Sequence, residues 1–144
     1  MENTINTQVL NELHKGAKMG MDSISFVAEK VGDDYFKDNL SYQYQEYSNT
    51  LDKINTIYQK YGDIPNDNHM MDQTMAWFGV QTNTITDKSN SHLADMLIQG
   101  TTMGITNGRK LLNQNPTVDP EIKTVLQDFI KMQENNVEKL KTFL

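Results

Sequence analysis

Gly16-Ala17-Lys18-Met19-Gly20-Met21 and Gly100-Thr101-Thr102-Met103-Gly104-Ile105 spell one pattern twice: Gly-x-x-Met-Gly followed by an apolar residue. Each copy lies in a run with helical spacing, where a glycine costs about 1 kcal/mol relative to alanine. Two glycines four residues apart fall on one helix face. They bare a shallow groove into which a neighbouring helix, or a bulky side chain from it, can press. Written twice, the groove predicts a helical hairpin used twice.

The apolar spacing agrees. Ile5, Val9, Leu13, Gly16, Gly20, Ile24, Val27 and Val31 step by three and four, predicting a helix over 5–31 with Thr4 as its N-cap. Gly32-Asp33-Asp34 is a stop and restart short enough to make the next helix antiparallel. That second helix, 34–61, has the seam Phe36, Leu40, Tyr44, Tyr47, Leu51, Ile54, Tyr58 and Tyr61. Its tyrosines are expected to fill the space over Gly16 and Gly20. Gly62 to Asn68 breaks the pattern with Gly, Pro and Asn. An additional helix is expected at about 69–86, ending in the polar run Thr86 to Ser91. A helix over 91–112 follows, with the seam Leu93, Leu97, Gly100, Gly104, Gly108 and Leu111. The last, over 120–143, reads Ile122, Leu126, Phe129, Gln133, Val137, Leu140 and Leu144, with Asp119 as N-cap and Pro120 as its first residue. The two glycine motifs align at an offset of 84, and Gln45-Glu46 with Gln133-Glu134 at 88, so an internal duplication is one reading and chance matching the other.

Composition narrows the function classes. A chain of 144 residues suits one domain, here 1–144, burying about two thirds of its unfolded surface. A net charge of −6 without a basic stripe argues against nucleic-acid binding. No cysteine means no disulfide, no cysteine-zinc site and no thiol chemistry, which fits a cytoplasmic setting. Met1-Glu2-Asn3-Thr4 has neither the basic flank nor the apolar core of a signal peptide, and no apolar run approaches the roughly 18 residues of a membrane span. The expectation is an all-α, antiparallel four-helix bundle of two hairpins joined by a crossover that carries the additional helix.

In this pattern of two hairpins, 5–31 with 34–61 and 91–112 with 120–143, the chain resembles the ferritin-like superfamily. It is also similar to the small bacterial ferritin-like proteins that include spore-coat types. The resemblance implies a di-metal site with a Glu from one helix of each hairpin and Glu-x-x-His from the other. Carried over, that second element falls on Glu46-Tyr47-Ser48-Asn49 and Glu134-Asn135-Asn136-Val137, which keep both glutamates and lack both histidines. Glu12 and Asp95 are the remaining acids that stand near the first element's places. The resemblance implies the bundle and an incomplete ligand set.

Other chemistry is thinly represented. His14, His69 and His92 are too dispersed for a ligand cluster, and no Gly-x-Ser-x-Gly or phosphate loop occurs. Met19 and Met103, beside Gly16, Gly20, Gly100 and Gly104, are read as packing or interaction residues, since thioethers fill gaps and also adapt to partners. Trp77-Phe78 is expected to cap the bundle or to anchor a partner subunit. The favoured function is a non-catalytic structural or interaction bundle, metal-free, with a homodimer or another protein as partner. One alternative is a divergent di-iron carboxylate protein for iron storage or oxidation, using Glu46, Glu134, Glu12 and Asp95. A second is a bundle that binds an apolar ligand at the glycine grooves.

Overall fold

The computed structural model describes residues 2–61 and 85–144. All regular structure in them is helical: α1 Glu2–Ala28, α2 Asp34–Tyr61, α3 Asn90–Gln114 and α4 Pro120–Lys141. Local chemistry sets most of these limits. The Asp33 carboxylate accepts the Phe36 backbone N–H at 2.8 Å and so caps α2. Ser89 caps α3 by accepting from His92 N at 3.3 Å, and Asp87 Oδ1 holds the Ser89 N–H at 2.9 Å. Pro120 opens α4 as expected, but Asp119 makes no side-chain capping bond. Its carboxylate takes the Tyr61 hydroxyl instead, while its backbone N–H donates to Asn6 Oδ1 at 2.9 Å. α1 begins at Glu2, before the expected cap Thr4, and ends at Ala28, yet Val31 beyond it is still buried.

Contacts between the helices fix their directions. Tyr61 meets Asp119, Lys60 pairs with Glu121 at 2.6 Å, Thr50 meets Met132, and Phe36 stacks on Phe143 with centroids 4.2 Å apart. α2 and α4 are therefore antiparallel. Asn6 beside Asp119 and Gly16 beside Phe129 make α1 and α4 parallel. Gly104 beside Gln133 and Gly108 beside Ile130 make α3 and α4 antiparallel, so α1 and α3 are antiparallel and α2 and α3 run the same way. The last residue of α2 and the first of α3 therefore lie at opposite ends of the bundle, roughly 40 Å apart for helices of this length. The described residues form a four-helix bundle of two antiparallel hairpins. The additional helix expected at about 69–86, with Trp77 and Phe78, lies outside the described residues apart from its last two positions, Ile85 and Thr86, which are not helical.

The core follows the seams with two corrections. On α2, Gln43 is buried and Tyr44 is 40% exposed. Both positions lie three or four residues from Leu40 and Tyr47, so spacing alone cannot choose; the helix turns Gln43 inward to complete the run Phe36, Leu40, Gln43, Tyr47. On α4, Asn136 is buried beside Gln133 and Leu140, while Leu144, beyond the end of the helix, is exposed. The buried positions also repeat. Val9, Leu10, Leu13, Ala17 and Ile24 correspond to Leu93, Ala94, Leu97, Thr101 and Gly108, each 84 residues later (93 − 9 = 84). Phe36, Leu40, Tyr47 and Ile54 correspond to Ile122, Leu126, Gln133 and Leu140 at 86 (122 − 36 = 86), so packing sets the second offset at 86 and not 88.

Two substitutions on α2 test its rotation. Leu40→Ala should lower the unfolding free energy in urea by about 2–5 kcal/mol, since it empties a fully buried site. Tyr44→Ala should change it by less than about 1 kcal/mol. The reverse order would mean that α2 presents its other face.

Candidate functional site

The glycines of α1 and α3 receive side chains from the facing helices. The Tyr47 ring of α2 lies across α1 at Gly20, where an added Cβ would sit 2.6 Å from Cζ and 2.8 Å from Cδ1. On the other hairpin, the Gln133 amide of α4 lies against Gly104, whose added Cβ would overlap Nε2 and come within 3.3 Å of Cδ. At Gly108 a Cβ would meet Ile130 Cγ1 at 2.9 Å. Gly16 differs: the nearest atoms, on Phe129, are at an ordinary 3.6 and 3.8 Å. The two hairpins touch at this level, because Gln133 Nε2 donates to the Tyr47 hydroxyl at 3.4 Å. Phe129 stands edge-on to Tyr47 at 5.9 Å. Burial pushes the Tyr47 phenol up to about 12, while hydrogen bonds with Gln133 and Thr101 act the other way, so at neutral pH it is uncharged.

The candidate acids do not converge here. Glu134, Glu12 and Asp95 are exposed. Glu46 is half-buried on the α2–α4 side, and desolvation raises its carboxyl above the usual range against the opposing effect of Asn136. Asn136 is near enough to favour the carboxylate, yet Asn136 Nδ2 and Glu46 Oε1 meet no hydrogen-bond geometry, and neither do Gln43 Oε1 and Gln133 Oε1. Among the described residues no three His, Asp or Glu side chains are grouped as metal ligands. On α4 the inward i, i+3 pair is Gln133 and Asn136, where the resemblance places Glu134 and Val137. One half-buried carboxylate among amides and a phenol does not fit a di-iron centre, which needs several anionic or imidazole donors. His14 is buried with its ring edge-on to Tyr58 at 6.2 Å, His92 sits in the first turn of α3, and His69 lies outside the described residues.

The packing residues do come together. Gly16, Met19 and Gly20 of α1 and Gly100, Met103 and Gly104 of α3 all line one cleft of about 1000 Å³ between these two antiparallel helices. Leu13, Ile24, Leu97 and Phe129 form apolar parts of its wall, and Tyr47 and Gln133 line it as well. Sequence reasoning identified the glycines and methionines but missed Thr101, Gln43 and Asn136. Polar residues at seam spacing were the available signal.

The glycines and Glu46 generate two stability predictions. Gly16→Ala should raise the unfolding free energy measured in urea by up to about 1 kcal/mol, because helix propensity improves and the methyl has room. Gly20→Ala should lower stability by about 1–3 kcal/mol by displacing the Tyr47 ring. For Glu46, a raised folded pKa means the folded state holds its proton more tightly, so this group's contribution is lost as pH rises above the ordinary carboxylate range. Glu46→Gln should therefore be more stable than the parent at pH 7, with the gap closing as pH falls toward about 4. A gap that widens on acidification would contradict this.

Neither a curated protein nor a solved structure matches the chain. A family model does: it spans residues 6–114, from the first turns of α1 to the last residue of α3, and carries the description "domain of unknown function". By that match over most of its length, the chain belongs to the DUF2383 family.

Proposed function

We propose that this protein is a non-catalytic bundle of the ferritin-like type that acts as a structural or interaction module. The observation that carries this reading is the neutral layer joining the hairpins. Tyr47, Gln133 and Thr101 meet between Gly20 and Gly104, at the depth where a ferritin-like bundle converges its carboxylates. Space for inward acids is taken by a ring and an amide. The parallel course of α2 and α3 supports the ferritin-like assignment, and a cytoplasmic setting and a likeness to spore-coat-type bundles belong to the same proposal.

The interaction surface proposed is aromatic. Tyr35 and Tyr42, two helical turns apart on α2, are 66% and 68% exposed, and Tyr35 contacts Phe143 with centroids 5.6 Å apart. Exposed tyrosines supply large contact area at little conformational cost, and they are enriched where partners dock. A second copy of the chain is the partner proposed for this face. Light scattering should give twice the chain mass of 16.5 kDa at high concentration, with Tyr42→Ala shifting the balance to monomer. A monomer mass throughout would remove the dimer.

The competing reading is a divergent iron carboxylate protein, favoured by the half-buried Glu46. Elemental analysis after expression in iron-rich medium separates the two. The proposal expects substoichiometric iron that Glu46→Ala and Glu134→Ala leave unchanged. Near-stoichiometric iron lost in either variant would overturn it.

A further inference from the structure

The aromatic face of α2 sits at one end of the bundle, and that placement restricts how two copies can meet. The exposed large hydrophobic side chains among the described residues are Phe26, Tyr35, Tyr42, Tyr44 and Leu144. Gly20 lies against Tyr47 and α1 runs opposite to α2, so Phe26 comes level with residue 41 of α2. Leu144 follows Phe143, whose ring meets those of Tyr35 and Phe36. All of them therefore fall beside residues 35–44, about 15 Å of a helix roughly 40 Å long.

Charge divides that end into two rows. Tyr35, Asp38 and Tyr42 are spaced by three and four residues and share one side of α2. Lys37, two residues from Tyr35, falls on the other flank. The Tyr35–Phe143 contact brings α4 alongside, with Asp38 and Lys139 each about one turn in from it. Both charges are exposed, and neither pairs with an opposite charge among the described residues. Glu138, next to Lys139, is taken up by Lys141 at 3.0 Å.

From this end placement and these two rows we infer that two copies pair side by side with their helices pointing the same way, α2 of each against α4 of the other. This rests on the dimer proposed above and specifies its geometry. A closed dimer is built on a two-fold axis. With the axis parallel to the helices every residue keeps its level, and left exchanges with right. Asp38 of each copy then faces Lys139 of the other, and Tyr35 faces Phe143 of the other. With the axis across the helices, α2 opposes α2 and α4 opposes α4. That sets Asp38 and Lys139 against their own kind, which costs affinity. Unless such an axis passes through this very end, it also carries the two aromatic patches apart.

The chain has no cysteine, so single substitutions report contacts between copies without background. Both positions are exposed, and substitution there leaves the fold intact. Full-length Asp38→Cys and Lys139→Cys chains are mixed and oxidised. A disulfide joining one variant to the other is expected in excess over either variant joined to itself. Asp38→Lys alone, or Lys139→Asp alone, should weaken the dimer at least about fivefold, since each reversal turns two attractions into repulsions. An equal mixture of those two variants should restore it, because the mixed dimer again opposes unlike charges. Disulfides formed chiefly within one variant, or equally in every combination, would overturn this geometry and leave the dimer standing. Single reversals without effect would do the same. A monomer mass for the unsubstituted chain would remove both.

Discussion

Two side chains pressed against bare helix backbone hold this bundle in register. The Tyr47 ring occupies the place of a side chain at Gly20, the Gln133 amide does the same at Gly104, and a hydrogen bond joins them across the bundle. A methyl at Gly20 would have to displace the Tyr47 ring, so each hairpin's spacing depends on an absent Cβ. The helix propensity lost, about 1 kcal/mol per glycine, is offset by complete burial of a tyrosine ring and by close packing of Ile130 at Gly108. Lys60–Glu121 and Tyr61–Asp119 then tie the far ends of α2 and α4. The exposed ion pair adds little by itself, because water screens it.

That packing also governs the chemistry available. Anything at the level of Gly20 and Gly104 shares space with a phenol and an amide, both uncharged. Among the acids of the described helices, Glu46 reaches inward from the α2–α4 side and is penalised by desolvation, as its raised pKa reports. The α1–α3 side instead keeps a cleft, lined by the same amide together with threonines and the charged Glu12, Lys15 and Lys110. Packing, electrostatics and the shape of the cleft thus descend from one choice: small residues on α1 and α3, large ones on α2 and α4.

Much of this was legible in the sequence because helical spacing and glycine are strong signals. The seams of α1 and α3, the joints at Gly32 and Asn115, and the partnership of glycines with a tyrosine could all be read directly. Three things could not. Gln43 and Tyr44 satisfy the same spacing, and a hydropathy-based choice takes the tyrosine, whereas burial takes the glutamine. Asp119 looks like a cap until Tyr61, 58 residues away, takes its carboxylate. Glu134 looks like the equivalent of Glu46 under an offset of 88, but the packing offset of 86 turns Gln133 and Asn136 inward and Glu134 out. Each miss concerns a polar residue, whose place depends on a partner from elsewhere in the chain and not on its own periodicity.

The glycines themselves divide by what they touch. Gly20, Gly104 and Gly108 each receive a side chain that an added methyl would meet at or inside 2.9 Å: the Tyr47 ring and Ile130 are held in the core, whereas the end of the flexible Gln133 chain could swing aside. Gly16 differs, because its neighbour Phe129 stands at ordinary contact distance. Internal packing therefore explains three of these four glycines and leaves one whose helix penalty brings no closer contact. Because α1 and α3 are antiparallel, with Gly20 level with Gly104, Gly16 comes near the level of Gly108, and both line the same cleft. Gly16 is thus a wall residue of the cleft whose helix penalty is offset by no close contact in the core, and it marks where the packing rule that governs the other three stops applying.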